Sequence, residues 1–293
     1  MTQEADIATD TLRRFVFEKE EIRGSIVRLK DTWQQLLAAD DYPAEVRAVL
    51  GEALAATALL GRNLKFTGRL TLQIQGGQHL RLMVLQCDHD LRMRGLAQFG
   101  DAVPDNFTEL VDGGALCITV ESGRAADRYQ SIVPLSEISL ADSLALYFQQ
   151  SVQLPTLVLL SADDEEAVGL MLQAMPERKP GSDGWARITG VLDGLDVRRM
   201  GQLPDEVLLG TLFPEDDIRL FAPESVCFQC DCSEERIENM LKMLGADELQ
   251  DLIAQQDPVE IRCEFCNQIY SVPAEQIMAM VVELGGDVAR SLH

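Results

Sequence analysis

Five of the seven cysteines in this 293-residue chain fall between Cys227 and Cys266. Cys230-Asp231-Cys232 is followed, after the 30 residues 233–262, by Cys263-Glu264-Phe265-Cys266. The second pair is a C-x-x-C knuckle, a short turn that aims two sulfurs at one point. A bent backbone lets the C-x-C pair do the same. Four thiolates so arranged suit a tetrahedral zinc ion. The chain has three histidines, none near the cluster, so the expected ligands are all sulfur: Cys230, Cys232, Cys263 and Cys266. Four unrelated buried cysteines would rarely pair so closely. Cys227 makes a second C-x-x-C with Cys230 and is an auxiliary thiol, able to substitute as a ligand or to form a competing disulfide. Cys87 and Cys117 lie in or beside expected strands and read as buried bystanders.

The residues between the two pairs form a compact insert. Ser233 caps a helix whose first turn carries Glu234 and Glu235, with Ile237, Met240, Leu241 and Leu244 on one face. Gly245 ends it, and Asp247 starts a second helix that stops at Asp257-Pro258. Residues 259–262 and 268–272 flank the knuckle as a hairpin, and Pro273 opens a last helix. So small a domain has a small core and depends on its metal for folding.

The preceding chain must present this site. Residues 12–38 combine a short apolar run, Phe15 to Phe17, with a helical pattern ending near Leu37. Ala44 to Leu60 is an expected helix, with Val46, Val49, Leu50, Ala53, Leu54 and Leu60 apolar. From Leu64 to Val120 the period changes to two, and Gly76-Gly77 is a turn. Strands are expected at 80–85, 91–99, 116–120, 129–134, 157–160 and 168–175, with a helix over Ser139 to Gln150. This is an α+β fold with a mainly antiparallel sheet and flanking helices over residues 1–180. Residues 179–184 are a linker by composition. Residues 181–226 form a helical linker segment, cut into short pieces by Gly190, Gly194, Gly201, Pro204, Gly210 and Pro214. Its many apolar residues have little intrinsic propensity to hold a shape, and by periodicity alone the segment reads as an ordinary helical subdomain. Residues 227–293 are the zinc-binding domain.

Composition narrows the function. A formal net charge of −23 repels phosphate backbones and anionic lipid surfaces, so neither nucleic acid nor membrane is an expected partner. Met1 to Asp10 is polar and acidic, without a secretory pattern, and no apolar run spans a bilayer, so a cytoplasmic protein is expected. No Ser/His/Asp set or phosphate loop supports catalysis. A thiol oxidoreductase would place its C-x-x-C at a helix start in a βαβ context rather than in a hairpin. The spacing fits a permanent zinc ribbon as well as a redox switch. Acidic Asp231, Glu234, Glu235 and Glu264, offset in part by Arg236 and Arg262, favour an electron-rich site open to oxidants.

The cysteine frame resembles that of the redox-regulated 33-kDa heat-shock chaperonin family. So do Asp41-Tyr42-Pro43, Leu64-Lys65-Phe66 before Gly68, Met93-Arg94-Gly95, Arg128-Tyr129-Gln130, Gln153-Leu154-Pro155-Thr156, Met171-Leu172-Gln173 with Met175-Pro176, and Cys230 to Arg236. The resemblance covers nearly the whole chain. It implies an ATP-independent holdase rather than an enzyme, inactive while reduced and holding one zinc ion per chain. It also implies activation by two disulfides, Cys230–Cys232 and Cys263–Cys266, with zinc loss, unfolding of the redox-sensing zinc domain and release of the linker. Its partners would be unfolding client proteins and, when oxidised, a second copy of itself.

Overall fold

Residues 11–29 differ from the partly helical reading of their sequence. They form a hairpin of β1 (Thr11–Phe17) and β2 (Ile22–Leu29), in register from Thr11 opposite Arg28 to Phe17 opposite Ile22. The reason is two-sided burial. Nearly every residue of β2 is buried, so no polar–apolar alternation marks it as a strand. Only α1 (Asp31–Leu37) keeps the helical character expected there.

The computed structural model describes residues 8–63, 68–121, 128–135, 139–176, 183–255 and 258–285. Leu64-Lys65-Phe66, residues 179–182 of the linker and Asp257 lie outside the described residues. The chain forms two compact units, residues 1–229 and 230–293.

In the first unit, α2 (Ala44–Asn63) is followed by β3 (Arg69–Gln75), β4 (Leu80–Asp88), β5 (Arg92–Phe99), the short α3 (Phe107–Leu110), β6 (Ala115–Glu121) and β7 (Arg128–Pro134). Then come α4 (Leu140–Tyr147), continued by a wider turn over Phe148–Val152, and the hairpin of β8 (Thr156–Ala162) and β9 (Ala167–Ala174). The linker segment gives α5 (Gly184–Val191), a 3-10 turn (Val197–Gln202) and α6 (Asp205–Leu212). It ends in strands, not helix, β10 (Ile218–Leu220) and β11 (Glu224–Ser225), and β12 (Cys227–Phe228) follows it.

Two sheets result. One runs β10-β1-β2-β9-β8 with β11 also on β1, and the other runs β12-β5-β4-β3-β6-β7. All pairs are antiparallel except β12 on β5. Helix α2 packs against β2, β8 and β9 of one sheet and β3, β4 and β5 of the other. That position explains its composition. Val46, Leu50, Ala53, Leu54, Ala55, Ala56, Ala58, Leu59 and Leu60 are buried all round, as a helix between two apolar faces requires.

One of the two carboxyls of that helix, Glu52, sits in its middle. Burial pushes Glu52 up to about 7 from an ordinary value of 4.5. Between these values the folded state holds a proton that the unfolded state has lost, so stability falls as pH rises through the window. Glu52→Gln removes this slope. Its stability relative to wild type should rise by up to about 3 kcal/mol between pH 4 and pH 8, read from urea melts. Parallel pH profiles for the two chains would contradict the assignment.

The linker closes the outer face of the first sheet. Phe15, Phe17, Ile22, Ile26, Leu170 and Leu172 of the sheet share one buried cluster with Ile188, Leu192, Met200, Leu208, Leu209 and Phe213 of the linker. At its margin Arg28 of β2 is 3 % exposed and Asp205 of α6 is 8 % exposed. The Arg28 guanidinium bonds the Asp205 carboxylate, and it donates to Met200 O and Leu203 O at 2.9 Å each. Arg13 of β1 pairs with Glu206 and donates to Phe221 O at 2.8 Å. Two strand arginines therefore clasp the linker at five of its residues.

Candidate metal centre

The second unit is built as its sequence dictates. Ser233 caps α7 (Glu234–Leu244), accepting from the Arg236 backbone N–H at 3.3 Å. Gly245, at φ +96°, turns the chain into α8 (Ala246–Gln255). A glycine takes that backbone angle without steric cost. Strands β13 (Val259–Arg262) and β14 (Ile269–Val272) pair antiparallel, and α9 (Ala274–Glu283) follows Pro273. The core comprises Ile237, Leu241, Leu249, Val259, Val272, Ile277, Met280 and Val281. Eight buried side chains are few, which leaves this unit dependent on another source of stability.

The hairpin aims the knuckle. Cys263 N–H donates to Gln268 O at 2.9 Å, and Asn267 N–H donates to Cys263 O at 2.8 Å, closing a tight turn between β13 and β14. Asn267 takes φ +61°, a region asparagine tolerates better than most residues. On the other side, Cys230 and Cys232 lie just before the Ser233 cap.

The four sulfurs converge. Those of Cys230, Cys232, Cys263 and Cys266 all lie within 4.8 Å of one another. Cys230 Sγ is 3.7 Å from Cys263 Sγ, and Cys232 Sγ is 3.4 Å from Cys266 Sγ. A tetrahedron with 2.3 Å zinc–sulfur bonds has edges of about 3.8 Å, so the donor set fits zinc. A disulfide needs about 2.05 Å, and none of the four sulfurs is in one.

Electrostatics divides the four. Burial raises the Cys230 and Cys266 thiols above their ordinary value. Burial acts in the same direction on Cys232, but a hydrogen bond from the Tyr270 hydroxyl and the neighbouring thiols reverse it, and Cys232 is lowered. Asp231 pairs with Arg236 at 2.8 Å, which fixes one of the acidic residues flanking the sulfurs.

The remaining cysteines lie elsewhere. Cys227 is exposed in β12 of the first unit, opposite Arg92 of β5, and its N–H donates to Leu91 O at 3.2 Å. Ladder pairing thus anchors Cys227 to the first unit, and it is not among the four convergent thiols. Cys117 is buried. Cys87 is buried with its sulfur 2.8 Å from where a side chain on Gly61 would begin, a close approach that requires glycine on α2. Burial, then Asp88 and Cys227, push the Cys87 thiol up to about 12, so it holds its proton at neutral pH.

Two residues with roles here were missed by sequence reasoning. Tyr270 is an ordinary strand residue by pattern. Its only signal is alternation within β14, which sets it on one face of a hairpin that starts at the knuckle. Arg28 is a charge inside an apolar run, a signal that a buried partner exists but not of where.

An α+β body joined to a small four-thiol domain is the class that fold and site define. Comparison with known proteins gives the family. The Hsp33 protein family matches residues 10–273. The chain is 41% identical over 278 residues to the 33 kDa chaperonin of Nitrosococcus oceani, covering 94% of this chain and 96% of that one. It is 38% identical over 289 residues to the 33 kDa chaperonin of Methylobacillus flagellatus, covering 96% and 99%. Among solved structures, the 33 kDa chaperonin of Thermotoga maritima superposes with a TM-score of 0.80 at 22% identity, covering 94% of this chain and 98% of that one. The chain belongs to the Hsp33 family of chaperones. No described helix is long and apolar enough to cross a membrane.

Proposed function

We propose that this chain is a redox-regulated, ATP-independent holdase, held inactive by one zinc ion while reduced. The observation that carries the reading is the convergence of four thiols in a unit with little core of its own. Bound zinc would supply the cross-link that such a unit lacks. Cys230, Cys232, Cys263 and Cys266 would hold it.

Peroxide turns each pair, Cys230–Cys232 and Cys263–Cys266, into a disulfide. Two thiolates, two protons and one peroxide give one disulfide and two waters per pair. No thiolate is then left to hold the ion, and the redox-sensing domain, residues 227–293, loses its closure. Only Gln229 lies between β12 and the first ligand, so unfolding beyond Cys230 frees the short β12 from β5 first and then residues 181–226. The linker then leaves the core domain, residues 1–180. The uncovered face of Phe15, Phe17, Ile22, Ile26, Leu170 and Leu172 is large and apolar, and such a face binds unfolding chains. It also favours a homodimer of the oxidised form. The charge of −23 keeps client complexes soluble and disfavours nucleic acid and membranes, in keeping with a cytoplasmic protein that is not an enzyme.

A chemically unfolded client diluted into buffer tests this. The reduced protein should leave light scattering unchanged, and the peroxide-treated protein should suppress it. A permanent ribbon would lose function on oxidation, and an oxidoreductase would turn over a disulfide substrate. Cys266→Ser removes a direct ligand. Because losing a residue behind a ligand already costs 10–100-fold, zinc affinity should fall by about 100-fold or more, with some activity present before oxidation. Wild-type zinc retention in that variant would assign the ligands differently.

A further inference from the structure

Tyr270 stands against the metal centre without belonging to the four ligands. Its place in β14, opposite Ile261, is fixed by the hairpin ladder, and its ring packs on the core of the second unit. Its hydroxyl lies 3.1 Å from Cys232 Sγ. The Cys266 and Cys230 sulfurs receive backbone N–H groups, from Gln268 and Cys232 respectively. Cys232 instead receives a side-chain hydroxyl, which a single substitution can remove.

A thiolate has no proton to give, so the phenol must be the donor. A hydrogen bond to a charged acceptor is roughly twice as strong as a neutral one, and it draws electron density off the sulfur. Peroxide is attacked by that same density. The Cys232 thiolate takes one oxygen of peroxide, the O–O bond breaks, and hydroxide leaves. The Cys230 thiolate then displaces the second hydroxide from the Cys232 sulfenic acid to close the disulfide. Nucleophilicity falls as charge on sulfur is stabilised, so the donor slows the first of these steps.

We propose that Tyr270 is a positioning residue that sets the oxidant threshold of the centre by restraining Cys232. This rests on the zinc-switch reading above and adds a residue that tunes it.

The test is Tyr270→Phe in the full chain, which keeps the ring and removes only the hydroxyl. In the cobalt-substituted protein the sulfur-to-cobalt charge-transfer band should move to lower energy, because the sulfur becomes richer in electrons. In the zinc protein, peroxide-driven zinc release to a chromogenic chelator should quicken by about threefold to tenfold. Release without peroxide should stay within about twofold of wild type. A merely structural role would quicken both. An unshifted band, an unchanged peroxide rate, or a variant holding less than one metal per chain would each overturn the inference. A variant equal to a wild type that itself releases zinc on oxidation overturns this inference alone. A wild type that takes up no cobalt or zinc overturns the switch reading and this one together.

Discussion

Chelation of the metal from the reduced protein leaves residues 230–285 unfolded while the strands β1 to β9, packed on α2, still melt as a cooperative whole. Structural zinc contributes apparent binding energies of about 10–16 kcal/mol, against a net stability of roughly 5–15 kcal/mol for an ordinary domain. The second unit has eight buried apolar side chains and a two-stranded sheet. Two strands alone are marginal in water, and α7, α8 and α9 are each short enough to need packing partners. Without an ion, four sulfurs within 4.8 Å are neighbouring thiols rather than a cross-link. Amide exchange read by mass spectrometry would show α7, α8 and α9 losing protection on chelation, with β3, β4 and β6 keeping theirs. Protection of α7 to α9 that survives complete metal removal would contradict the dependence on metal.

Arg28→Met frees the linker with the zinc centre intact. Arg28 and Asp205 are both buried, and the guanidinium also satisfies two linker carbonyls, Met200 O and Leu203 O. Removing the guanidinium strands two acceptors and leaves the buried Asp205 carboxylate with the more distant Arg13, 3.6 Å away, so the loss should approach the roughly 3–5 kcal/mol of a broken buried pair from below. The linker holds its face on the sheet through interrupted helices, so a loss of that size should undock it. The variant should hold one zinc per chain, bind a hydrophobic dye and suppress client aggregation before any oxidant is added. Asp205→Asn should act in the same direction and more weakly, since an amide keeps part of the hydrogen bonding. Arg28→Met with Asp205→Leu replaces the pair with apolar groups and should restore much of the docking, because buried ion pairs often exchange for well-packed apolar side chains without net loss. A single variant that stays dye-silent and inactive while reduced would show that the apolar cluster alone fastens the linker.

The convergence of the four cysteines was legible because its information is local. C-x-C and C-x-x-C bring sulfurs together over two or three residues, and the Ser233 cap, the Gly245 turn and the Pro273 helix start each act within one turn of chain. The strands β3 and β4 were legible because buried and partly exposed residues alternate along them. What the pattern hides is whatever depends on a distant partner. β2 is buried on both faces by α2 and by the linker, so its alternation is gone. β10 is a strand because β1 offers it an edge, with Phe15 opposite Leu220, and nothing in Ile218-Arg219-Leu220 alone says so. That α2 lies between two sheets follows from its burial on every side, where the sequence shows only a helix richer in apolar residues than one face needs. Arg28 meets Asp205 across 177 positions of chain. Cys227 has the spacing of a ligand to Cys230, yet pairing of β12 with β5 ties it to the first unit.

The central claim is that loss of zinc and uncovering of the first sheet are one event. Pulsed hydrogen exchange during peroxide treatment, with released zinc read in the same samples, tests it directly. Peptides covering residues 184–213 and those covering β1 and β9 should lose protection with the rate constant of zinc release, while α2 stays protected throughout. Zinc release that runs to completion with residues 184–213 still protected would contradict it.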